Sequence, residues 1–141
     1  MKRSIYGALM LLAAALLISV PMVQAQSQIK ADVPFAFSVD KQSMSAGSYE
    51  IDALNATVLV LRDLDTKQAQ LLMKSHDVQA YNIQNPHLVF HKYGDQYFLS
   101  QIWNGDGNTG IELPTSRREK EIQMAGNSLP NGPELVIVAM K

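Results

Sequence analysis

The chain has no cysteine. That removes disulfides, thiol nucleophiles, every cysteine-based metal site and lipid anchoring, which needs a cysteine at a processed N-terminus. Charge of either sign is not in excess: 12 lysines and arginines stand against 13 acidic side chains, so there is no basic field to attract nucleic acid or an anionic lipid surface. No repeat of fixed period and no low-complexity tract interrupts the sequence, and no Gly-x-Ser-x-Gly nucleophile elbow is found. Long apolar runs are equally scarce. The one that exists, Ile5 to Val20, lies at the start.

That stretch follows Lys2 and Arg3, and Pro21 ends it. A basic n-region, an apolar core of about 16 residues and the small-residue exit Val23-Gln24-Ala25 make a secretory signal peptide, with cleavage between Ala25 and Gln26 expected. A membrane anchor would need roughly 20 apolar residues. Loss of Lys2 and Arg3 with the leader leaves 10 basic against 13 acidic side chains, a net charge of −3. Residues 26–141 then form one domain, long enough to bury around two-thirds of its unfolded surface. With no cross-links, it must be held by core packing alone.

From Ile29 to Val39 every odd position is apolar, while Lys30, Asp32, Ser38 and Asp40 fall between. Period two is the pattern of a half-buried strand, and Pro34 inside it demands an edge or a bulge, because proline donates nothing to a ladder. Tyr49, Ile51 and Ala53 resume the alternation after turns at 40–42 and 45–47. Val58 to Leu61 and Leu135 to Met140 are apolar on both faces and are expected at the centre of the fold. Arg62 to Lys67 supplies turn formers before Ala69 to Met73, so a hairpin is expected there.

Leu88 to Tyr93 and Gln96 to Trp103 flank Gly94-Asp95. Glycine first in a two-residue loop predicts a type II′ turn, with Phe90 opposite Leu99, His91 opposite Phe98 and Lys92 opposite Tyr97. Asn104 to Gly110 reads as a loop. Ser116 with Glu119 forms a capping box for a helix over 117–124, stopped by Gly126, and Asn131-Gly132-Pro133 turns the chain into a last strand. Seven or eight short strands with one short helix describe an all-β, antiparallel sandwich or a partly closed barrel. The strands are too short and irregular for an outer-membrane barrel.

No residue pattern points to a metal or a cofactor. His87 and His91 have ligand spacing only if helical; in a strand at about 3.4 Å per residue they stand roughly 13 Å apart. His76 beside Ser75 is adjacency in a strand, where neighbours face opposite ways. Asp106-x-Asn108-x-Gly110-x-Glu112 has calcium-loop spacing but carries Ile111 where glycine belongs and Arg117 where the bidentate glutamate belongs. Asp63 and Asp65 are turn chemistry, and Glu119 and Glu121 interleave with Arg117, Arg118 and Lys120 on a solvated helix face. Asn55-Ala56-Thr57 matches a glycosylation sequon without other support.

The remaining candidate is aromatic. Tyr97 and Trp103, with Tyr93 near them, lead into the Asn104 and Asn108 loop, and exposed rings beside amides hold sugars in many β modules. The same residues also suit a core.

Val33-Pro34-Phe35-x-Phe37-x-Val39, then Ala46-Gly47-x-Tyr49, Tyr97-Phe98-Leu99 and Leu113-Pro114-x-Ser116-Arg117-Arg118-Glu119, resemble small exported proteins of unknown function from soil bacteria, notably acidobacteria. The resemblance spans nearly the whole chain after the leader. It implies export and a β architecture, and brings no activity, ligand or catalytic residue. The expected function is therefore a non-catalytic exported module that acts through its surface, in the periplasm, on the cell or outside it, on a cell-envelope protein or a glycan. The alternative is a small-molecule or carbohydrate binder using Tyr97, Trp103, Asn104 and Asn108; the third is an enzyme whose site the sequence does not group.

Overall fold

A computed structural model describes residues 29–80, 84–105, 107–126 and 132–141. The expected leader, the bond between Ala25 and Gln26, Asp106 and Asn131 lie outside the described residues. Among the described residues eleven strands and one helix are formed: β1 (Ile29–Val33), β2 (Phe37–Val39), β3 (Gln42–Met44), β4 (Gly47–Ala53), β5 (Val58–Asp63), β6 (Ala69–Met73), β7 (His76–Gln79), β8 (His87–Tyr93), β9 (Gln96–Trp103), β10 (Thr109–Glu112), α1 (Arg117–Ala125) and β11 (Glu134–Ala139). They exceed the seven or eight expected because several are only three or four residues long and sit in stretches that read as turns.

One sheet has the order β1-β4-β5-β6 and the other β11-β8-β9-β10-β7, with β2 and β3 attached to β9. Both are antiparallel apart from the β2–β9 contact at Ser38 and Phe98. Pro34 explains the division of the first alternating run: the chain leaves β1, at the edge of the first sheet, and re-forms as β2 in the second. The sheets face each other as a sandwich, laced at one corner where Lys30 and Lys141 exchange backbone hydrogen bonds of 3.0 and 2.8 Å. Among the described residues no ladder joins β6 to β7, so the barrel is not closed.

The core is wedged by aromatic rings. Phe37 stands edge-on to Tyr49 of the first sheet at 5.2 Å and to Phe90 of the second at 5.3 Å; Phe35 meets Phe90 at 5.1 Å and stacks on Tyr97 at 4.0 Å. Tyr49, Phe90, Leu61, Leu88 and Val33 are fully buried, each such side chain contributing about 1.5–3 kcal/mol by leaving water. The Tyr49 hydroxyl donates to the Ser45 carbonyl at 2.5 Å, and burial pushes its pKa up.

The expected hairpins form. Asp63 closes the β5–β6 turn by accepting from the amides of Asp65 and Thr66 at 2.8 and 2.9 Å, which holds its carboxyl below the usual aspartate range. Gly94 has φ +59° in the two-residue turn between β8 and β9, and Phe90–Leu99, His91–Phe98 and Lys92–Tyr97 pair as the spacing predicts. Asn55 accepts from the amides of Thr57 and Val58, so the sequon residue is turn chemistry here. β5 is central, as expected. β11 is not: it forms the edge beside β8, and Leu135 and Ile137 on its outer face are 61% and 65% exposed. A strand packed on only one face can still read as apolar throughout.

Candidate functional site

Three arrangements of polar side chains follow from one irregularity in β9. Between the Val89–Gln101 and Phe90–Leu99 pairs the ladder skips Ser100, a β-bulge. One extra residue reverses the alternation beyond it. Tyr97 and Leu99 therefore point into the sandwich, where Ile102 joins them, whereas Phe98, Gln101 and Trp103 belong to the outer face. Tyr97 and Trp103, three turns of the pleat apart and of equal parity, end on opposite sides of the sheet.

The outer face beyond Tyr93 is covered by α1. Ser116 caps it, accepting from the Glu119 amide at 3.1 Å, and Gly126 closes it with a bond to the Ile122 carbonyl at 2.8 Å. Glu119, expected on the solvated face, is instead 3% exposed. Its Oε1 lies 2.6 Å from His91 Nδ1 and accepts from the Tyr93 hydroxyl at 3.1 Å, while Gln123 donates to that hydroxyl at 2.7 Å. Burial, and then the neighbouring Glu119 charge, raise the Tyr93 pKa. The cluster has its partners satisfied internally, and it lines neither the hollow between the sheets nor the one beside Leu71 and Pro114. It fastens the helix to the sheet. Arg117, Arg118 and Lys120 stay exposed, and Glu121 pairs with Arg117 at 3.1 Å.

Further along the same face runs a ladder. Trp103 is 4% exposed, lies parallel to His87 at 5.8 Å, and donates from Nε1 to Gln101 at 3.1 Å. Its ring covers Gly110 of β10, where an added Cβ would come within 2.5–2.7 Å of the indole carbons. Gln101 reaches Glu112 at 3.5 Å, and Glu112 lies 3.6 Å from His76 Nε2. Ser75, which precedes β7 rather than belonging to it, does approach His76, Oγ to Nδ1 at 3.3 Å. The expectation of opposite faces fails there because Ser75 is not in the strand. The serine and the histidine are exposed, and neither hollow is lined by them. Thus the two aromatics expected to make a sugar platform do not share a surface: Tyr97 stacks on Phe35 inside, and Trp103 is sealed between His87 and Gly110.

The concave site lies elsewhere, between the sheets. A cleft of about 470 Å³ is lined by Ile29, Ile51, Asp52, Ala53, Leu59, Lys74, Asp77, Ile102, Asn104, Thr109, Ile111 and Met140; of these Ala53, Asp77, Asn104 and Thr109 are exposed, and the Asp52 carboxylate turns with Glu50 toward Arg62, on the face of β4 opposite Ile51. The cleft has the size of a small-molecule site. The second hollow, about 120 Å³ beside Leu71 and Pro114, is too small. Pairing builds the cleft wall: Ile111 stands opposite both Asp77 of β7 and Ile102 of β9, so these three share the inner face. Lys74 reaches Asp77 at 2.5 Å, and Asp52 lies 3.7 Å from Arg62, which is closer to Glu50 at 3.3 Å.

Of the four candidate residues, Asn104 alone lines the cleft. Asn108 is exposed on the loop and accepts from the Ala80 amide through its backbone carbonyl at 2.9 Å. Lys74, Asp77, Thr109 and the aliphatic lining were not singled out by the sequence, since nothing in their spacing reveals that β7 and β10 pair across some 30 residues. His87 and His91 lie on a strand, as expected, and among the described residues no group of three His, Asp or Glu side chains converges as metal ligands. No described helix is long and apolar enough to cross a membrane. No family model, curated protein or solved structure matches the chain.

Proposed function

We propose that the domain is an exported, non-catalytic binding module whose inter-sheet cleft holds a small, largely aliphatic molecule. One observation carries this reading: about 470 Å³ of concave space lined by buried or half-buried isoleucine, leucine and methionine, with exposed Ala53 and a few polar groups beside them, the composition by which proteins hold small ligands. Export is supported by the signal-like N-terminus. Binding rather than catalysis is supported by the polar lining, where Lys74 is engaged by Asp77 instead of being aimed at a reacting group. The test is a titration of the secreted protein with an environment-sensitive apolar dye, followed by displacement with a panel of small amphiphiles and sugars. Saturable binding lost in Ala53→Trp, which places an indole across the mouth, supports the reading; equal binding by wild type and Ala53→Trp removes it.

A second reading, action through the surface on an envelope protein, is supported by the exposed apolar side chains of two edge strands, one from each sheet: Leu71 and Met73 on β6 and Leu135 and Ile137 on β11. Photo-crosslinking from position 71 or 137 in cells should then give one defined adduct; a smear or no adduct speaks against it.

A further inference from the structure

One of the two apolar edges carries more than exposure. We propose that β6 takes up an extended apolar segment of another protein by strand addition, with one side chain of that segment seated in the small hollow beside the strand. Strand addition rests on the surface reading above and is independent of the cleft.

The backbone of β6 supplies the first half. Among the described residues β6 pairs with β5 alone. The Lys74 amide donates to the Thr57 carbonyl at 2.9 Å and the Asp63 amide to the Gln68 carbonyl at 2.8 Å, so the even-numbered residues bond to β5. The N–H and C=O groups of Ala69, Leu71 and Met73 therefore point to the open side. Gln70 Nε2 caps the Leu71 carbonyl at 3.1 Å, a bond that the amide of an added strand would replace. Proteins guard such edges with charge, proline or a bulge. β1 carries Lys30 and Asp32, β7 carries His76 and Asp77, and β11 is laced to β1 at its end through Lys141. From Ala69 to Met73 there is no such guard.

The hollow supplies the second half. Its volume is about 120 Å³, and Val39, Leu71, Leu72, Met73, Leu113 and Pro114 are among its lining. Leu72 is buried in the core, so Leu71 and Met73 turn their side chains to the outer face of the sheet; they meet the hollow along the open side of the strand. It is too small for a free ligand and close to the roughly 150 Å³ that holds one benzene-sized group, which leaves room for a single aliphatic side chain. Every second residue of an added strand points inward, over this hollow. A backbone ladder for affinity and a pocket for an alternate side chain are the two parts by which sheets bind peptides.

The occupant is a foreign segment rather than a second copy. A stable dimer needs about 20–30 residues a side, and β6 offers five. In a pair of β6 strands, the side chains brought over the hollow would be Gln70 or Leu72 of the second copy, and Leu72, 2% exposed, is already held in its own core.

The test titrates the secreted protein with fluorescent, end-capped heptapeptides that alternate threonine with apolar residues, the central one being alanine, valine, leucine or phenylalanine, and reads anisotropy. Affinity should rise about fourfold for each carbon buried from alanine to leucine, and fall at phenylalanine, which overfills the hollow. N-methylation along one backbone edge of the peptide should abolish binding, and along the other should leave it unchanged. Bound peptide should slow hydrogen exchange at the Ala69, Leu71 and Met73 amides. Leu71→Pro removes an outward donor without touching the β5 ladder and should weaken binding about tenfold; the N-methyl comparison on wild type serves if that variant folds poorly. No saturable binding, equal loss on N-methylation of either edge, unchanged exchange at the three amides, or a dimer in sedimentation that Leu71→Pro dissolves, overturns strand addition. A defined photo-adduct from position 71 alongside any of these keeps the surface reading intact, whereas a smear or no adduct removes both.

Discussion

Replacing Gly110 with alanine adds one methyl group and should cost more than that suggests. The position lies in β10 beneath the Trp103 ring, and an ideal Cβ there would meet Cδ2, Cε2 and Cε3 at 2.5, 2.6 and 2.7 Å. Such distances are about an ångström inside ordinary carbon contact of roughly 3.5–4.0 Å. The ring has nowhere easy to go, since His87 lies parallel to it and Gln101 holds its Nε1. Forced overpacking costs about 1–3 kcal/mol, and removing a glycine from a strand returns about 0.5–1 kcal/mol of chain entropy. The net expectation is a loss of about 1–2 kcal/mol, or a Tm lower by about 4–8 °C. Urea unfolding and calorimetry of Gly110→Ala measure it. Trp103→Ala alone should lose about 3–5 kcal/mol by leaving a cavity, and the double variant should lose less than the two singles together, because the new methyl then has room. Gly110→Ala within about 0.5 kcal/mol of wild type, or strict additivity in the cycle, would refute the close approach.

Glu119→Ala should loosen α1 selectively, because His91 and Tyr93 lose their shared acceptor; a cost of about 1–3 kcal/mol should appear as faster amide exchange over 117–125 with the sandwich amides unchanged. Asp63→Ala should destabilise by about 1–2 kcal/mol through two unmet amides. Since the folded Asp63 pKa is depressed, its contribution is present above the ordinary aspartate range and is lost as pH falls through the folded value, so the variant's stability should fall less steeply in acid. Tyr93→Phe tests the opposite limb. The raised Tyr93 and Tyr49 pKa values mean that the unfolded chain ionises first, so stability is intact below the ordinary tyrosine pKa and declines as pH rises through the folded values; the variant should keep only the Tyr49 share of that alkaline loss, read by denaturant unfolding across pH.

Local chemistry was legible wherever a residue acts within its own few neighbours. Gly94 announced its turn, Ser116 its cap, and the odd-numbered apolar run from Ile29 its strand, with Pro34 marking where that strand breaks. What the sequence hid is non-local. β7 pairs with β10 and β11 with β8, and neither partner carries any mark of the other, so the cleft between β7, β10 and the first sheet had no signature. Glu119 read as solvated because it sits among charged neighbours; only the docking of α1 on Tyr93 and His91 shows that its side of the helix is the dry one. The bulge at Ser100 was equally silent, since serine is an ordinary strand residue and nothing about it signals a skipped rung.

That bulge and the placement of the rings together explain why a cleft exists. Both β4 and β9 run from the aromatic wedge toward the mouth: Tyr49 to Ala53 on one sheet, Tyr97 to Asn104 on the other. Phe35, Phe37, Tyr49, Phe90 and Tyr97 set the distance between the sheets at one end, and a sandwich core is about 10 Å thick. With the bulge, the one tryptophan that could have filled the far end turns outward to cover Gly110. Ile102, Ile111, Leu59 and Ala53 are left to face each other across a gap fixed by larger side chains. Aliphatic residues of that size do not span it, and packed interiors tolerate little empty volume at their own expense. The vacancy is therefore a consequence of where the chain spends its rings, and an apolar occupant is what the arrangement is suited to hold.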